Sequence, residues 1–362
     1  MTHILAWLLI IYGIATLWLL LGLSRRYPRS DKLPSVSLVI CLRNEEHNLP
    51  VLFQALNTID YPEDRLEIIL VNDQSTDGTA KLIDEYQQSS RHKIILETLI
   101  ANVPGFPGKM GAMIRGMDRA TGDIIALTDA NTNPRPDWIR QLVSHFDNDV
   151  GIVGGPIRIT GKSIWSRLQA LDWAYLFAAG AGTAGWGTAQ SIFGKNVAIR
   201  ASAYQEIGTL KAIPFSVTED LTLLSAIRDR TKWKIRLPME ESVTLDAAPT
   251  PSLKTLWHQR RRWMIGGAKV SAVGRLLILI MLLLSVAILV SLFINPMWAL
   301  GLFVIQCLLD LPLAASALGC IGRFNWLIYW PLYRAVFIAI LIPLAASLLF
   351  YRSVHWKGHV HR

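Results

Sequence analysis

Three apolar runs in this chain end abruptly in polar groups that could do chemistry. "VSLVICL" is followed by Arg43, Asn44 and Glu45; "LEIILVND" closes on Asp73; "IIALT" is followed by Asp129 and Asn131. Separate carboxylates of this kind can hold a divalent cation, and the cation can hold a diphosphate. No GxGxxG follows the first run and no GxxxxGK(S/T) occurs anywhere, so neither a dinucleotide-dependent dehydrogenase nor a P-loop enzyme is indicated.

To meet, these groups must be set on elements that deliver them to one edge. Val36 to Cys41 is a short apolar run bounded by Pro34 and polar residues, and Leu49 to Thr58 then has helical spacing. The unit recurs: residues 66–73 read as a strand, 76–87 as a helix opened by Ser, Thr and Asp, 93–99 as a strand, 109–120 as a helix and 123–129 as another strand. Alternation of strands and helices predicts parallel pairing in a doubly wound α/β sheet. In such sheets ligands bind in the crevice beyond the carboxyl ends of the strands. The three polar ends should therefore converge.

Composition adds a membrane part. Of 362 residues 52% are hydrophobic and 17% charged, against about 25% charged in soluble domains, and the mean hydropathy is +0.34. Ile4 to Leu23 is free of charge over 20 residues, enough to span about 30 Å of hydrocarbon as a helix. Leu276 to Ile294 is a second such run. Met297 to Ile321 is a third, interrupted by Asp310 and Pro312, and Trp326 to Tyr351 a fourth, carrying Arg334. Arg25, Arg26, Arg29 and Lys32 follow the first helix, which places its carboxyl end and the long polar insert in the cytosol. No small-residue cleavage site stands there, so the helix is expected to stay as an anchor.

The expected organisation is an N-terminal transmembrane helix (1–24), a cytosolic catalytic domain (25–251), an interfacial helix (252–275), C-terminal membrane segments (276–351) and a basic tail (352–362). The net charge of +9 suits anionic lipid and forms no stripe for nucleic acid. Cys41, Cys307 and Cys320 suggest neither a disulfide framework nor a zinc site.

Six segments together, "VSLVICLRNEEHNL", "LEIILVNDQSTDGT", "GKMGAMIRGMDRATGDIIALTDAN", "FGKNVAIRASAYQEIG", "TED" and "QRRRW", resemble in type and order the membrane-bound family 2 glycosyltransferases of GT-A fold. The likeness covers roughly residues 35–265. It implies an enzyme that transfers a sugar from a nucleotide-sugar, a UDP-sugar in the first instance, to an acceptor hydroxyl with inversion. It also implies Mn²⁺ or Mg²⁺ as cofactor and residence in a bacterial plasma membrane with the catalytic domain cytosolic.

The resemblance carries roles onto particular residues. Arg43, Glu45 and Asp73 fall to the nucleotide-sugar, with helix capping the rival role for an acid here and better suited to Asp77. Lys109 either screens phosphate charge or is a solvated first-turn residue. Asp129 and Asn131 occupy the DxD position that holds the metal, Asn131 being an uncharged ligand where an acid is usual, and Asp129 also serves the donor. Asp220 matches the catalytic base and Glu219 a supporting residue, although Thr218-Glu219-Asp220 could equally open a helix. Gln259, Arg262 and Trp263 match the Gln-x-x-Arg-Trp signature at acceptor and diphosphate, while Arg260 or Arg261 is expected to meet headgroups, as Lys254, Trp257 and Lys269 would in an interfacial helix.

Some features stay open. "HWKGHVH" reads as a solvated tail whose "WKG" resembles that of lipid and carotenoid glycosyltransferases. Asp310 could pair with Arg334, meet an acceptor headgroup or sit beside a break at Pro312. Three crossings would leave the tail outside, whereas Arg352, Lys357 and Arg362 favour the cytosol; a re-entrant break at Asp310-Leu311-Pro312 would reconcile them. The acceptor is expected to be a membrane lipid. A processive polysaccharide synthase, with an accessory subunit to complete its channel, is the alternative, and a non-catalytic membrane scaffold the remaining one.

Overall fold

The computed structural model describes residues 2–267, 270–350, 354–356 and 359–361. Lys269, Arg352, Lys357, Gly358 and Arg362, singled out above, lie outside the described residues. An apolar helix, α1 (Thr2–Leu23), leads into the alternating units β1 (Val36–Leu42), α2 (Leu49–Leu56), β2 (Leu66–Asp73), α3 (Thr79–Ser89), β3 (Lys93–Leu99), α4 (Lys109–Asp118) and β4 (Ile124–Thr128). After these come β5 (Thr132–Asn133), α5 (Trp138–Val143), β6 (Val150–Gly154), β7 (Ile157–Ile159), α6 (Ile164–Gly185), β8 (Val197–Arg200) and α7 (Ala201–Glu206). Then follow α8 (Glu219–Arg230), β9 (Lys234–Arg236), β10 (Leu245–Ala247) and α9 (Leu253–Gly266). The helices α10 (Ala272–Ile294), α11 (Pro296–Cys320) and α12 (Trp330–Phe350) precede two short paired tail strands, β11 (Val354–Trp356) and β12 (His359–His361).

Seven strands form one sheet in the order β3-β2-β1-β4-β8-β6-β9. Every residue of β2 is buried, as a strand covered on both faces by helices requires. Val36 pairs with both Leu66 and Ile124, so the carboxyl ends of β1, β2 and β4 emerge along one edge. The expected all-parallel pairing holds for β1 to β4, but β8 runs antiparallel to both β4 and β6. Because Val197 lies opposite Leu127, β8 begins where β4 ends, and the residues just before it arrive at the same edge.

Among the described residues four helices are long and apolar enough to cross a membrane: His3–Leu23, Ala272–Ile294, Pro296–Cys320 and Phe324–Ser347. Trp7, Ile14, Phe293 and Met297 on them are exposed, as lipid-facing side chains are. The re-entrant break expected at Asp310-Leu311-Pro312 is absent, because α11 runs unbroken through Pro312. Proline removes one backbone donor, and packing against neighbouring helices lets an apolar helix tolerate that loss. Asp310 pairs with Arg334 (Nε to Oδ2, 3.2 Å) and accepts from the hydroxyls of Tyr12 at 2.7 Å and Tyr175 at 2.8 Å. Both charged residues are fully buried, so the acid is closed off among α1, α6, α11 and α12.

The helix α6 was not foreseen. Its "AAGAGTAG" end lies backbone to backbone against α1: a Cβ on Gly22 would run into the Gly182 carbonyl, and one on Gly185 into the Gly22 carbonyl. Small residues permit such close helix approach in membranes. Gly182→Val should force the pair apart and destabilise the protein by about 1–3 kcal/mol, the usual cost of overpacking. A thermal unfolding midpoint unchanged from wild type in detergent would show that the contact is not made.

Candidate active site

The register that sets Leu42 opposite Asn72 brings the next residues together across the edge, with Arg43 Nη1 3.6 Å from Asp73 Oδ2. Gln74 Nε2 donates to Asp73 Oδ1 at 2.9 Å. The loop after β1 turns at Asn44, whose φ of 53° lies in the left-handed region where Asn is enriched; its Oδ1 accepts from the Thr76 amide at 2.8 Å and so ties the two loops. Asp77, not Asp73, accepts the Thr79 amide, at 3.0 Å. Glu45 accepts from Asn48 Nδ2 at 2.6 Å.

At the end of β4, two lysines meet the DxD-like pair. Lys109, in the first turn of α4, donates to Asp129 Oδ1 at 2.7 Å and lies 3.4 Å from Glu219 Oε1. Lys195 donates to Asn131 Oδ1 at 3.2 Å and lies 3.6 Å from Asp129 Oδ2. Burial by itself would lower the Lys109 pKa, but Asp129 and Glu219 outweigh it and hold the ammonium above the usual lysine value. Burial, with Lys109 and Arg262 near, holds Lys195 below that value despite the pull of Asp129. Asp129 and Asn131 are hard oxygen donors on one cavity wall and fit a divalent cation as two ligands. Among the described residues no third His, Cys, Asp or Glu joins them, so a bound cation would complete its shell with phosphate oxygens and water.

Helix α8 opens on Glu219 and Asp220, with Thr218 at its N-cap. Asp220 accepts from the Gly194 amide at 3.0 Å and from the Leu221 amide at 2.8 Å. A Cβ at position 194 would lie 3.0 Å from the Asp220 Cβ, so a larger residue there would press on the acid. Burial and then the neighbouring Glu219 carboxylate hold Asp220 above the ordinary aspartate value, against the opposing Arg262 guanidinium. Glu219 lies between two cations, Lys109 and Arg262, whose Nη1 is 4.0 Å from Oε2. The same Nη1 donates to the Val217 carbonyl at 2.6 Å, which fastens α9 to the turn before α8.

Gln259, Arg262 and Trp263 of α9 all line the cavity. Trp263 stands edge-on to Trp173 at 5.0 Å and near Phe193 at 5.9 Å, which makes an aromatic wall. Gln259 Oε1 and Trp173 Nε1 are buried with no hydrogen-bond partner. An orphaned buried polar atom costs about 1–3 kcal/mol, and neither of these atoms is open to the cavity. The expectation that Arg260 or Arg261 meets headgroups is overturned. Arg260 bonds Asp172 of α6 and lies over the Trp263 ring at 4.1 Å, and Arg261 is buried. Asp172 also accepts from the Tyr333 hydroxyl at 2.8 Å, so this face of α9 packs on α6 and α12.

The cavity, of about 260 Å³, thus gathers every residue assigned from sequence: Arg43, Glu45 and Asp73; Lys109, Asp129 and Asn131; Glu219 and Asp220; Gln259, Arg262 and Trp263. Trp173, Phe193, Lys195 and Thr250 are among the further lining residues that sequence reasoning missed. Lys195 stands inside "FGKNVAIR", and only the antiparallel course of β8 brings it to the edge. Cys41 also reaches the cavity, but burial pushes its thiol up to about 12, so it stays protonated near neutral pH and is no nucleophile.

A mixed sheet of this order, with acids and cations collected at its carboxyl edge, defines a GT-A glycosyltransferase. The chain belongs to glycosyl transferase family 21, whose model matches residues 1–362; the motif resemblance drawn above was to family 2. Among curated relatives, it is 30% identical over 240 residues to a probable glycosyltransferase, YdaM, of Bacillus subtilis (65% of this chain, 56% of that protein). It is 29% identical over 241 residues to a beta-monoglucosyldiacylglycerol synthase of Synechocystis (65% and 48%). The chain thus spans about half the length of these relatives. Its fold matches the mannosyltransferase PcManGT of Pyrobaculum calidifontis, solved with GDP-Man and Mn2+, with a TM-score of 0.62 at 17% identity over 96% of this chain and 99% of that one.

The raised carboxyl of Asp220 sets a pH dependence. If Asp220 is the base, it works only when deprotonated, and the sugar-transfer rate should be lost as pH falls through the raised value. Profiles of kcat/KM, which report the free enzyme, should show an acid limb above the ordinary aspartate pKa of about 3.9. A profile flat to that pH would remove Asp220 from the base role.

Proposed function

We propose that this chain is an inverting glycosyltransferase, of the hexosyl-transferring kind seen in family 2. Its donor is a nucleoside diphosphate sugar, a UDP-sugar, and its acceptor a membrane lipid hydroxyl at the cytosolic face of a bacterial plasma membrane. The observation that carries this reading is the meeting in one cavity of a carboxyl with raised proton affinity, Asp220, and four cations, Arg43, Lys109, Lys195 and Arg262. Inversion needs a base at the acceptor and positive charge at the leaving group, and this cavity offers both.

In this reading Asp220 takes the proton from the acceptor hydroxyl, and the freed oxygen bonds to the anomeric carbon as the bond from that carbon to the diphosphate breaks. Lys109 and Arg262, both paired with Glu219, hold positive charge where the departing nucleoside diphosphate gains negative charge. Asp73 and Arg43 meet the nucleotide, with Glu45 bracing their loop. Asp129 and Asn131 would hold Mn²⁺ or Mg²⁺, which when bound supplies Lewis-acid neutralisation of the diphosphate. Gln259, Arg262 and Trp263 line the side of the cavity given to the acceptor and the diphosphate.

Two observations favour a lipid over a growing polysaccharide. Threading a polymer needs a polar conduit, whereas the charged residues of α11 and α12 are sealed against each other in the Asp310–Arg334 cluster. The Synechocystis relative is named for making a glucosyl lipid.

Mass spectrometry of products from the purified chain, supplied with nucleotide sugars and membrane lipid extract, is expected to show one or a few sugars per lipid. A ladder of long oligosaccharides would overturn the lipid reading. Asp220→Asn should lose transfer by about 10²–10⁴-fold, the usual contribution of a positioned base, with donor binding retained. Activity should vanish in EDTA and return with Mn²⁺, and Asn131→Asp should lower the concentration needed for half activity. Full turnover in chelator would exclude the metal role of this pair.

A further inference from the structure

The place between Asp129 and Asn131 is filled by a cation of the chain itself. Lys195 Nζ lies 3.2 Å from Asn131 Oδ1 and 3.6 Å from Asp129 Oδ2, so both oxygens assigned to a metal face one ammonium. Lys109 is different, because its second partner is Glu219. The Lys195 side chain is only 12% exposed, and in the same position its ammonium lies 5.3 Å over the Trp173 ring, which helps to hold it there. A divalent cation on Asp129 and Asn131 would stand within a few ångströms of this ammonium. At that range in a poorly solvated cavity the repulsion is too large for both to share the oxygens.

We propose that Lys195 is a stand-in for the metal. In the donor-free site its ammonium occupies the Asp129 and Asn131 oxygens and keeps divalent-cation affinity low. When a nucleoside diphosphate enters, the ammonium passes to phosphate oxygens and frees the pair, so diphosphate and metal each strengthen the other's binding. Asn131 fits this arrangement, since a second acid there would draw metal into the site before the donor arrived. The proposal rests on the reading that Asp129 and Asn131 are metal ligands and that the donor is a nucleoside diphosphate sugar.

The test is Mn²⁺ binding to the purified full chain in detergent, followed by electron paramagnetic resonance with and without UDP, for wild type, Lys195→Met and Lys195→Gln. Wild type should bind Mn²⁺ weakly alone and about tenfold or more tightly with UDP. Both variants should bind Mn²⁺ alone about tenfold more tightly than wild type and lose most of the gain from UDP. By calorimetry in EDTA, both should bind UDP about tenfold more weakly, because a phosphate partner is gone. Lys195→Gln keeps a polar side chain, so it serves if the methionine variant fails to fold. Variants with wild-type Mn²⁺ affinity and wild-type UDP enhancement would overturn the role of Lys195. Wild type that takes up no Mn²⁺ even with UDP would instead strike the metal reading beneath it, and the proposal with it.

Discussion

The cavity depends above all on Lys109, whose ammonium lies 2.7 Å from Asp129 and 3.4 Å from Glu219. Carboxylates from three different elements are brought to one poorly solvated edge, and like charges so placed would drive one another protonated or apart. Lys109 at the start of α4 joins the end of β4 to the start of α8, while Arg43 compensates Asp73 and Arg262 compensates Glu219 from its other side. Asp220 is held instead by the backbone amides of Gly194 and Leu221. Burial, and then the neighbouring Glu219 carboxylate, raises its proton affinity against the opposing Arg262 guanidinium.

The same constraint shapes the apolar half. An acid and a base are both fully buried in Asp310 and Arg334, and their pairing, with two tyrosine hydroxyls on the acid, is what makes that burial tolerable. Tyr175 belongs to α6, three residues after Asp172, which binds Arg260 and Tyr333, and two after Trp173, which walls the cavity. One helix therefore links the membrane-length helices to the aromatic side of the site. Backbone contact with α1 through glycines lets it lie close enough to do so.

Glycine and amide choices at the edge follow from this crowding. Gly194 is small because its amide must reach Asp220, and Gly266 because α9 lies against the Thr218 side chain. Asn131 contributes an oxygen without a second negative charge, which matches a wall where one carboxylate already faces two lysines. The site is thus nearly self-neutral before any ligand arrives.

Much of this was legible in the chain itself. Apolar runs with period and length suited to buried strands, each ending in Arg43, Asp73 or Asp129, determined the α/β sheet and the edge where its polar groups collect, because strand direction in an alternating pattern leaves little choice. Apolar runs of membrane length, charge-free in α1 and carrying one charge each in α11 and α12, marked these helices and α10, since nothing else needs so many apolar residues in succession. Tertiary structure alone decided the rest. The reversal of β8, which brings Lys195 to Asn131, comes from pairing between distant segments and leaves no local periodicity. The pairing of Arg260 with Asp172 joins α9 to a helix far away in the chain, and Arg261 is buried; by composition their helix reads as a membrane-surface one. The unbroken course of α11 through Pro312 reflects packing on neighbouring helices, which overrides a local breaker signal that sequence can only report in isolation.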